Sequence, residues 1–258
     1  MPHLTTPKII LNKGIYSFLK SPVVELIVGT DDAQTALYAH QAFLIKSPYF
    51  ASRCEAFSPN TTARRIELPD EDLSATGSVL EYLYSDEYFP KRLSTSKESP
   101  LEPDPSIPSP DTQGVALLRH ARVYTLAEKL GLPALKSLAH SKIHRTNSTA
   151  RGEIEYARYV YKKTGTEDMT IRKPVAAFWA TRSHVLRHEA EEEFRAMCLE
   201  FPQFGFDVLS LVLDQKEKKF GGGGHGGDSG AGTSRAVASV EIGTGERSAR
   251  KRVRISQG

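Results

Sequence analysis

Residues 36–50 read ALYAHQAFLIKSPYF, and this stretch decides the fold. Its first five residues favour an extended strand, and the residues after His40 favour a short helix from Gln41 to Lys46. That helix must end before Pro48, because the residue preceding a proline is disfavoured in the α region. Apolar residues are so dense here that most must be buried. We therefore interpret the stretch as a packing centre, and His40 as a hydrogen-bonded core residue rather than a catalyst or ligand.

The residues before this stretch predict a helix and a strand. Apolar positions within residues 1–20 indicate a short lead-in helix ahead of Pro22. Residues 23–29, VVELIVG, are rich in β-branched residues and are followed by two aspartates, a pattern typical of a strand and a turn. We expect this strand to form a hairpin with residues 35–39.

Downstream of the stretch, short elements precede a proline-rich segment. A second helix continues to about Cys54, and residues 65–68, RIEL, form a short strand. A longer helix then opens after Pro69, with residues 70–72 (Asp, Glu, Asp) at the end where the macrodipole favours negative charge. Residues 90–113 hold six of the chain's 15 prolines and few large apolar residues, which predicts a flexible insertion.

From Val115 onward every predicted element is a helix. The first ends at Gly131 in the manner of a C-cap, and Pro133 begins the next. Residues 147–220 are predicted to be wholly helical, in segments at 153–163, 174–188, 189–199 and 205–215. Residues 221–258 hold 11 of the 19 glycines and lack a periodic apolar pattern, so we expect a disordered tail.

Composition predicts an intracellular protein. The apolar and charged fractions, 39% and 25%, are those of an ordinary soluble protein. No apolar run reaches the roughly 18 residues that span a bilayer, and the first residues lack the apolar core of a secretion signal. Cys54 and Cys198 form no close-spaced motif, which favours a reducing compartment over a disulfide or zinc framework.

The net charge of +3 is concentrated in the tail. Residues 221–258 contain six basic and three acidic residues, so residues 1–220 are electrically balanced. A balanced globule gives no sign of a nucleic-acid surface. The tail also carries the cluster Arg250, Lys251, Arg252 and Arg254, which suits capture by an acidic groove and equally suits weak phosphate contact. We interpret it as a candidate nuclear-import signal, which favours the nucleus slightly over the cytoplasm; specific nucleic-acid binding is not expected.

Each motif that could indicate catalysis, phosphate binding or a metal site lacks a residue that the site requires. His184 and His188 have the i, i+4 spacing that can place two imidazoles on one metal, but the Glu of a zinc-protease helix and a third ligand are missing. Residues 221–227 are rich in glycine but lack the Lys-Ser/Thr of a phosphate loop. No serine lies in a Gly-x-Ser-x-Gly elbow. We therefore predict a protein that is not an enzyme and holds no metal or cofactor.

Four motifs, in the right order, resemble the BTB/POZ family. Residues 38–44 followed by 47–50 are similar to its aHxxxL…SpyF signature, and residues 66–69 resemble its third strand. Residues 80–88 resemble its FLxYLYTGEY helix end, and residues 123–136 its following helix pair. The fold-signature positions are His40, Leu44, Ser47, Pro48, Phe50 and Tyr84. Residues 159–161 and 194–209 are similar to the helical extension of BTB proteins from filamentous fungi, so the resemblance covers about residues 19–216.

The resemblance implies both a fold and a function. The fold would be α+β: a BTB/POZ domain at 19–146, a small mixed sheet flanked by helices, then an all-α extension at 147–220 and the tail. The function would be non-enzymatic protein interaction through homodimers or BTB heterodimers, with the N-terminal lead-in and first helix at a two-fold interface. Two alternatives stay open: a substrate adaptor for a cullin-type ubiquitin ligase, and a nuclear transcription or chromatin regulator. No membrane partner is expected.

Two positions depart from part of the family. Members with a repressor-recruiting pocket carry Asp at the start of the first strand and Arg directly after the signature His, where this chain has Val23 and Gln41. We therefore expect that charged pocket to be absent. The insertion at 90–113 would lie beside the surface that cullins contact, and no residue there supports such contact. No Kelch, MATH or zinc-finger segment accompanies the domain.

Overall fold

A computed structural model describes residues 13–58, 63–94 and 99–221 of the chain. The first part combines helices with three strands: α1 (Lys13–Leu19), β1 (Val23–Val28), β2 (Thr35–His40), α2 (Gln41–Leu44), α3 (Pro48–Glu55), β3 (Arg65–Leu68) and α4 (Leu73–Ser85). The remainder is helical: α5 (Val115–Lys129), α6 (Pro133–Ile143), α7 (Ala150–Lys163), α8 (Met169–Glu189), α9 (Glu191–Glu200) and α10 (Pro202–Gly221). The predicted α+β class is therefore confirmed.

The three strands form one mixed sheet with β1 in the middle. Strand β2 pairs antiparallel to β1, with Val23 opposite His40, which confirms the predicted hairpin. Strand β3 pairs parallel to β1 on its other side, with Leu26 opposite Ile66. Alternate residues of a strand face one side of a sheet, and Val24, Leu26 and Val28 are all buried on the same side. That side is packed against the helices.

One hydrophobic core runs through the described part of the chain. It begins at the inner face of the sheet, continues through α3 to α6, and reaches the later helices without interruption. In the later helices the fully buried Trp179 ring packs 5.2 Å from Phe194 and 6.4 Å from Phe204, measured between centroids. Full burial of a large apolar side chain such as Phe204 contributes about 1.5–3 kcal/mol to the free energy of unfolding. The helices after α6 therefore extend the core of the sheet rather than forming a separate one.

A buried polar cluster joins the end of α4 to α5 and α6. The Lys142 ammonium is fully buried, donates to the backbone carbonyls of Tyr88 and Pro90, and lies 2.6 Å from the Glu87 carboxylate. Burial lowers the pKa of Lys142, and Glu87 opposes that shift. The Tyr88 hydroxyl lies 2.9 Å from Nδ1 of His120, which is also buried. These contacts hold the chain where the proline-rich segment begins.

The second half of the proline-rich insertion contacts α5. The Arg119 guanidinium pairs with the Asp104 carboxylate. The Asp111 carboxylate accepts hydrogen bonds from the backbone N–H groups of Val115, at 2.8 Å, and Ala116, at 3.1 Å. Asp111 therefore satisfies two of the donors that a helix leaves free at its N-terminus. The predicted flexibility of the insertion stays a prediction.

Several helix boundaries differ from those predicted. Helix α8 begins at Met169 rather than Pro174, because the Asp168 carbonyl accepts the backbone N–H of Ile171 and Arg172 and starts the helix upstream of the proline. Pro174 removes only one hydrogen bond near the helix start. Helix α10 begins with Pro202 and continues to Gly221, six residues beyond the predicted end. Two of the earlier helices also differ: α2 ends at Leu44 rather than Lys46, and α4 begins after residues 70–72, with Asp72 as its N-cap.

Candidate protein-interaction surface

Three of the six signature positions, His40, Leu44 and Tyr84, lie where β2 passes into α2. The Tyr84 hydroxyl, near the end of α4, lies 2.8 Å from both the backbone nitrogen and Nδ1 of His40. The Phe43 ring stacks on the Tyr84 ring with centroids 4.1 Å apart, and Leu44 is fully buried. His40 is thus hydrogen-bonded, as predicted, although it is half-buried rather than enclosed in the core.

The other three signature positions join α3 to the turn between α5 and α6. Ser47 is buried; its Oγ donates to the backbone carbonyl of Leu130 at 2.6 Å and accepts from the Phe50 N–H at 3.4 Å, which caps α3. Pro48 occupies the first helical position, and its ring lies against Gly131 so closely that a Cβ there would be 3.1 Å away. Gly131 also has φ +70, which favours glycine. The signature therefore fixes packing, with Phe50 buried behind it.

Large apolar side chains are exposed on the elements that precede and flank this junction. They are Tyr16, Leu19, Val23 and Tyr38, each between 44% and 64% exposed, and we call these four residues the N-terminal face. Helix α1 is held in place by the Phe18 ring, whose centroid is 5.2 Å from that of Phe43. Val23 and Tyr38 lie on the side of the sheet opposite the buried Val24 and Ala39, because successive residues of a strand point to opposite sides.

Charged groups contact both tyrosines of the N-terminal face. The Tyr38 hydroxyl donates to the Glu25 carboxylate at 3.1 Å, and Arg65 lies 3.6 Å from the same carboxylate. The hydrogen bond to Glu25 and its negative charge raise the pKa of Tyr38. Lys20 lies over the Tyr16 ring at 4.2 Å. Exposed apolar side chains bordered by polar contacts have the composition of a protein–protein interface.

A second apolar row is exposed on the last described helix. Phe206, Leu209 and Leu213 are 48% to 65% exposed and lie three and four residues apart, so they share one side of α10; we call them the α10 face. Among the described residues no single helix has the length and apolar character to cross a membrane. Residues 191–200 with 202–218 meet that requirement only as a pair bent by 111°.

Val23 and Gln41, the two positions that differ from the repressor-recruiting pattern, carry no pair of opposite charges. Val23 is an exposed apolar residue at the start of β1. Gln41 accepts a hydrogen bond through its side-chain oxygen from the Arg64 guanidinium at 2.6 Å. An amide and a guanidinium occupy this region in place of the carboxylate and guanidinium that the repressor-recruiting pattern requires.

Two other sites considered from the sequence are not assembled by the described residues. The rings of His184 and His188 have centroids 4.7 Å apart and both residues are exposed. No group of three or more His, Cys, Asp or Glu side chains in the described ranges is arranged to hold a metal. The basic cluster at 250–254 and the glycine run from residue 222 lie outside the described residues, so the import signal stays a prediction.

One pair of neighbouring histidines on α6 was not predicted from the sequence. His140 and His144 on α6 bring their Nε2 atoms to 3.1 Å from each other. Their i, i+4 spacing is the same as that of His184 and His188, so the spacing alone could have identified them.

No protein-family model matches the chain, and comparison with curated proteins also finds no match.

Proposed function

We propose that the chain is a non-enzymatic protein-interaction module of the BTB/POZ type, and that it forms dimers through the N-terminal face. The observation that carries this proposal is the exposure of Tyr16, Leu19, Val23 and Tyr38 on adjoining elements. Isolated exposed apolar residues are ordinary, but four on three successive elements favour an interaction site.

The arrangement of the elements supports the BTB/POZ assignment. A hairpin leads directly into two short helices, a parallel third strand follows, and a helix pair closes the module. The six signature residues sit at the two junctions of that arrangement, where each makes a packing or hydrogen-bonding contact. The helices from α7 to α10 follow as the proposed extension.

A two-fold interface is the simplest way to cover the N-terminal face. In such an interface the same patch is buried on both subunits, so each of the four side chains is buried twice. Covering a half-exposed side chain of this size contributes about 1 kcal/mol before the cost of association. Tyr38 and Tyr16 also bring large rings with a polar tip, a residue type enriched at interfaces.

The experiment is light scattering coupled to size exclusion on the full chain at tens of micromolar. The matched variants are Tyr16→Glu with Leu19→Glu in the N-terminal face, and Leu209→Glu with Leu213→Glu in the α10 face. Each pair adds two charges to exposed apolar positions on one helix. We expect wild type and the α10 variant to have twice the mass of the chain, and the N-terminal variant to have the mass of one chain.

Two outcomes would overturn the proposal. A monomeric wild type at this concentration removes the dimer. If the wild-type dimer survives the N-terminal substitutions but dissociates with the α10 substitutions, the interface lies on the α10 face and not on the N-terminal face. Far-UV circular dichroism of each variant checks that the mass change does not come from unfolding.

A further inference from the structure

His140 and His144 lie one turn apart on α6 and bring together the two ring nitrogens that point away from their Cβ atoms. Their Nε2 atoms are 3.1 Å apart, the ring centroids are 4.4 Å apart, and the rings are nearly perpendicular, at 88°. At this distance one Nε2 carries a proton and donates it to the other. The pair is therefore a preformed meeting point of two imidazole nitrogens.

The separation of the nitrogens matches that of two imidazoles on one metal ion. Zinc bonds an imidazole nitrogen at about 2.0–2.1 Å, which places two such nitrogens about 2.9 Å apart at a right angle and about 3.4 Å apart at the tetrahedral angle. The observed 3.1 Å falls between these limits. We infer that His140 and His144 chelate a transition-metal dication that favours imidazole, such as Zn²⁺, Ni²⁺ or Cu²⁺.

Binding requires a small and balanced rearrangement. The metal takes the position of the proton that now joins the two nitrogens. The histidine that donated this proton then carries a proton on Nδ1 instead, so both rings stay neutral and both Nε2 lone pairs face the ion. The helix fixes the spacing of the two Cα atoms, and rotation about the Cβ–Cγ bonds turns the two ring nitrogens toward the ion.

The surroundings hold this pair more firmly than the other i, i+4 pair. His140 and His144 are half-buried, and the Tyr124 ring lies beside His140 with centroids 6.2 Å apart. His184 and His188 are exposed. A side chain that is already ordered loses less conformational entropy when it binds, so the α6 pair has the advantage of preorganisation.

The positive charge of Lys136 on the same helix is compensated. Lys136, one turn before His140, lies 2.5 Å from the Glu128 carboxylate and 3.3 Å from the Asp168 carboxylate. Burial opposes the charged form of Lys136, but its partners, Glu128 first, raise its pKa. The two carboxylates thus reduce the repulsion that the Lys136 ammonium would exert on a bound dication.

The ligand set limits the choice of ion. The described residues supply no third His, Cys, Asp or Glu to the pair, so water or a group from another molecule completes the coordination. Imidazole suits zinc, copper and nickel, whereas Mg²⁺ and Ca²⁺ favour oxygen ligands. Affinity should therefore be highest for Cu²⁺, and Mg²⁺ should not bind.

The test is calorimetric titration of Ni²⁺ and Zn²⁺ into the full chain after removal of any purification tag, with Mg²⁺ as the negative control. The site variant is His140→Gln with His144→Gln. The matched control is His184→Gln with His188→Gln, which removes a pair of the same spacing. We expect one strongest equivalent of Ni²⁺ or Zn²⁺ on wild type, an affinity at least tenfold lower in the site variant, and a change below twofold in the control.

A second measurement keeps the inference testable without a variant. Ni²⁺ is paramagnetic, so substoichiometric Ni²⁺ should broaden the amide resonances of residues 138–146 in wild-type protein before those of residues 182–190. Broadening that begins at 182–190 would overturn the inference. The same conclusion follows if the two variants lose affinity equally, or if neither loses it.

Discussion

The Tyr84 hydroxyl serves two groups of His40 at once, its backbone nitrogen and Nδ1, each at 2.8 Å. The hydroxyl oxygen accepts from the backbone N–H, and a hydroxyl can also hydrogen-bond to the ring nitrogen in the same position. The contact joins residues 44 positions apart in the chain, at the junction where β2 passes into α2 against α4.

Replacing Tyr84 with Phe removes this hydroxyl while keeping the ring that stacks on Phe43. The backbone N–H and Nδ1 of His40 lose their partner, and because the site is partly open to solvent we expect a loss of about 1 kcal/mol in the free energy of unfolding. Urea denaturation measures it. Tyr82→Phe is the matched control, since its hydroxyl has no hydrogen bond to a described residue. Equal losses in the two variants would show that the His40 contact does not contribute.

Ser47→Ala should be more costly than the change at Tyr84. The Ser47 hydroxyl is buried and donates to the Leu130 carbonyl at 2.6 Å, so its removal leaves that carbonyl unsatisfied and takes the cap from α3. We expect a loss of about 2–3 kcal/mol. Ser78→Ala, which removes a hydroxyl bonded only within its own helix, should change stability by less than about 0.5 kcal/mol. A loss below 1 kcal/mol at Ser47 would contradict the assigned role.

Local patterns predicted the elements that carry strong end signals. Strand β3 has the predicted limits, and helix α6 begins where predicted, because Gly131 and Pro133 mark one helix end and the next start. Where the signal was a lone proline, the prediction was wrong: Pro174 suggested a helix start, but backbone bonds to Asp168 begin α8 five residues earlier. A proline near the first turn is compatible with either position.

Contacts between distant residues could not be predicted from spacing. Tyr88, His120 and Lys142 lie on three segments with no shared motif, and only the packing of α5 against both α4 and α6 brings them together. A buried lysine is unexpected from sequence, since lysine is among the residues least often buried. The pairs at i, i+4 are the opposite case, because helix geometry alone brings such residues together.

Burial of His120 makes stability depend on pH. Burial, and then the positive charge of Lys142, lower the pKa of His120 from 6.5 to about 3 in the folded chain. Below pH 6.5 the unfolded chain therefore binds a proton that the folded chain does not, so stability is present above that pH and falls as the pH drops. Between pH 7 and pH 5 the loss from this residue should be about 2 kcal/mol.

The comparison that isolates this effect is wild type against His120→Gln. Glutamine does not titrate but keeps a group that can hydrogen-bond to the Tyr88 hydroxyl. Urea unfolding of both proteins at pH 7, 6 and 5 gives the difference in their free energies of unfolding. That difference should shift by about 2 kcal/mol against wild type from pH 7 to pH 5. A difference that stays constant with pH would mean that His120 accepts a proton in the folded chain.

The pair of Arg119 and Asp104 should restrain the second half of the proline-rich insertion. Both side chains are largely buried, and hydrogen bonds from Ser106 and Arg119 lower the pKa of Asp104 against the opposing effect of burial. Arg119→Met should therefore loosen this segment, and the amides of Glu102 and Ile107, which donate to backbone carbonyls at 2.8 and 3.2 Å, should exchange with deuterium at least about tenfold faster.

Arg122→Met is the control, because Arg122 lies on the same helix but pairs with Asp72 in a more exposed position. Exchange across residues 99–112 should be unchanged in that variant. The wild-type rates also test the flexibility predicted for the insertion. Strong protection of Glu102 and Ile107 in wild type would make that prediction wrong for this half of the segment, whereas equally fast exchange in all three proteins would show that the Arg119 pair restrains nothing.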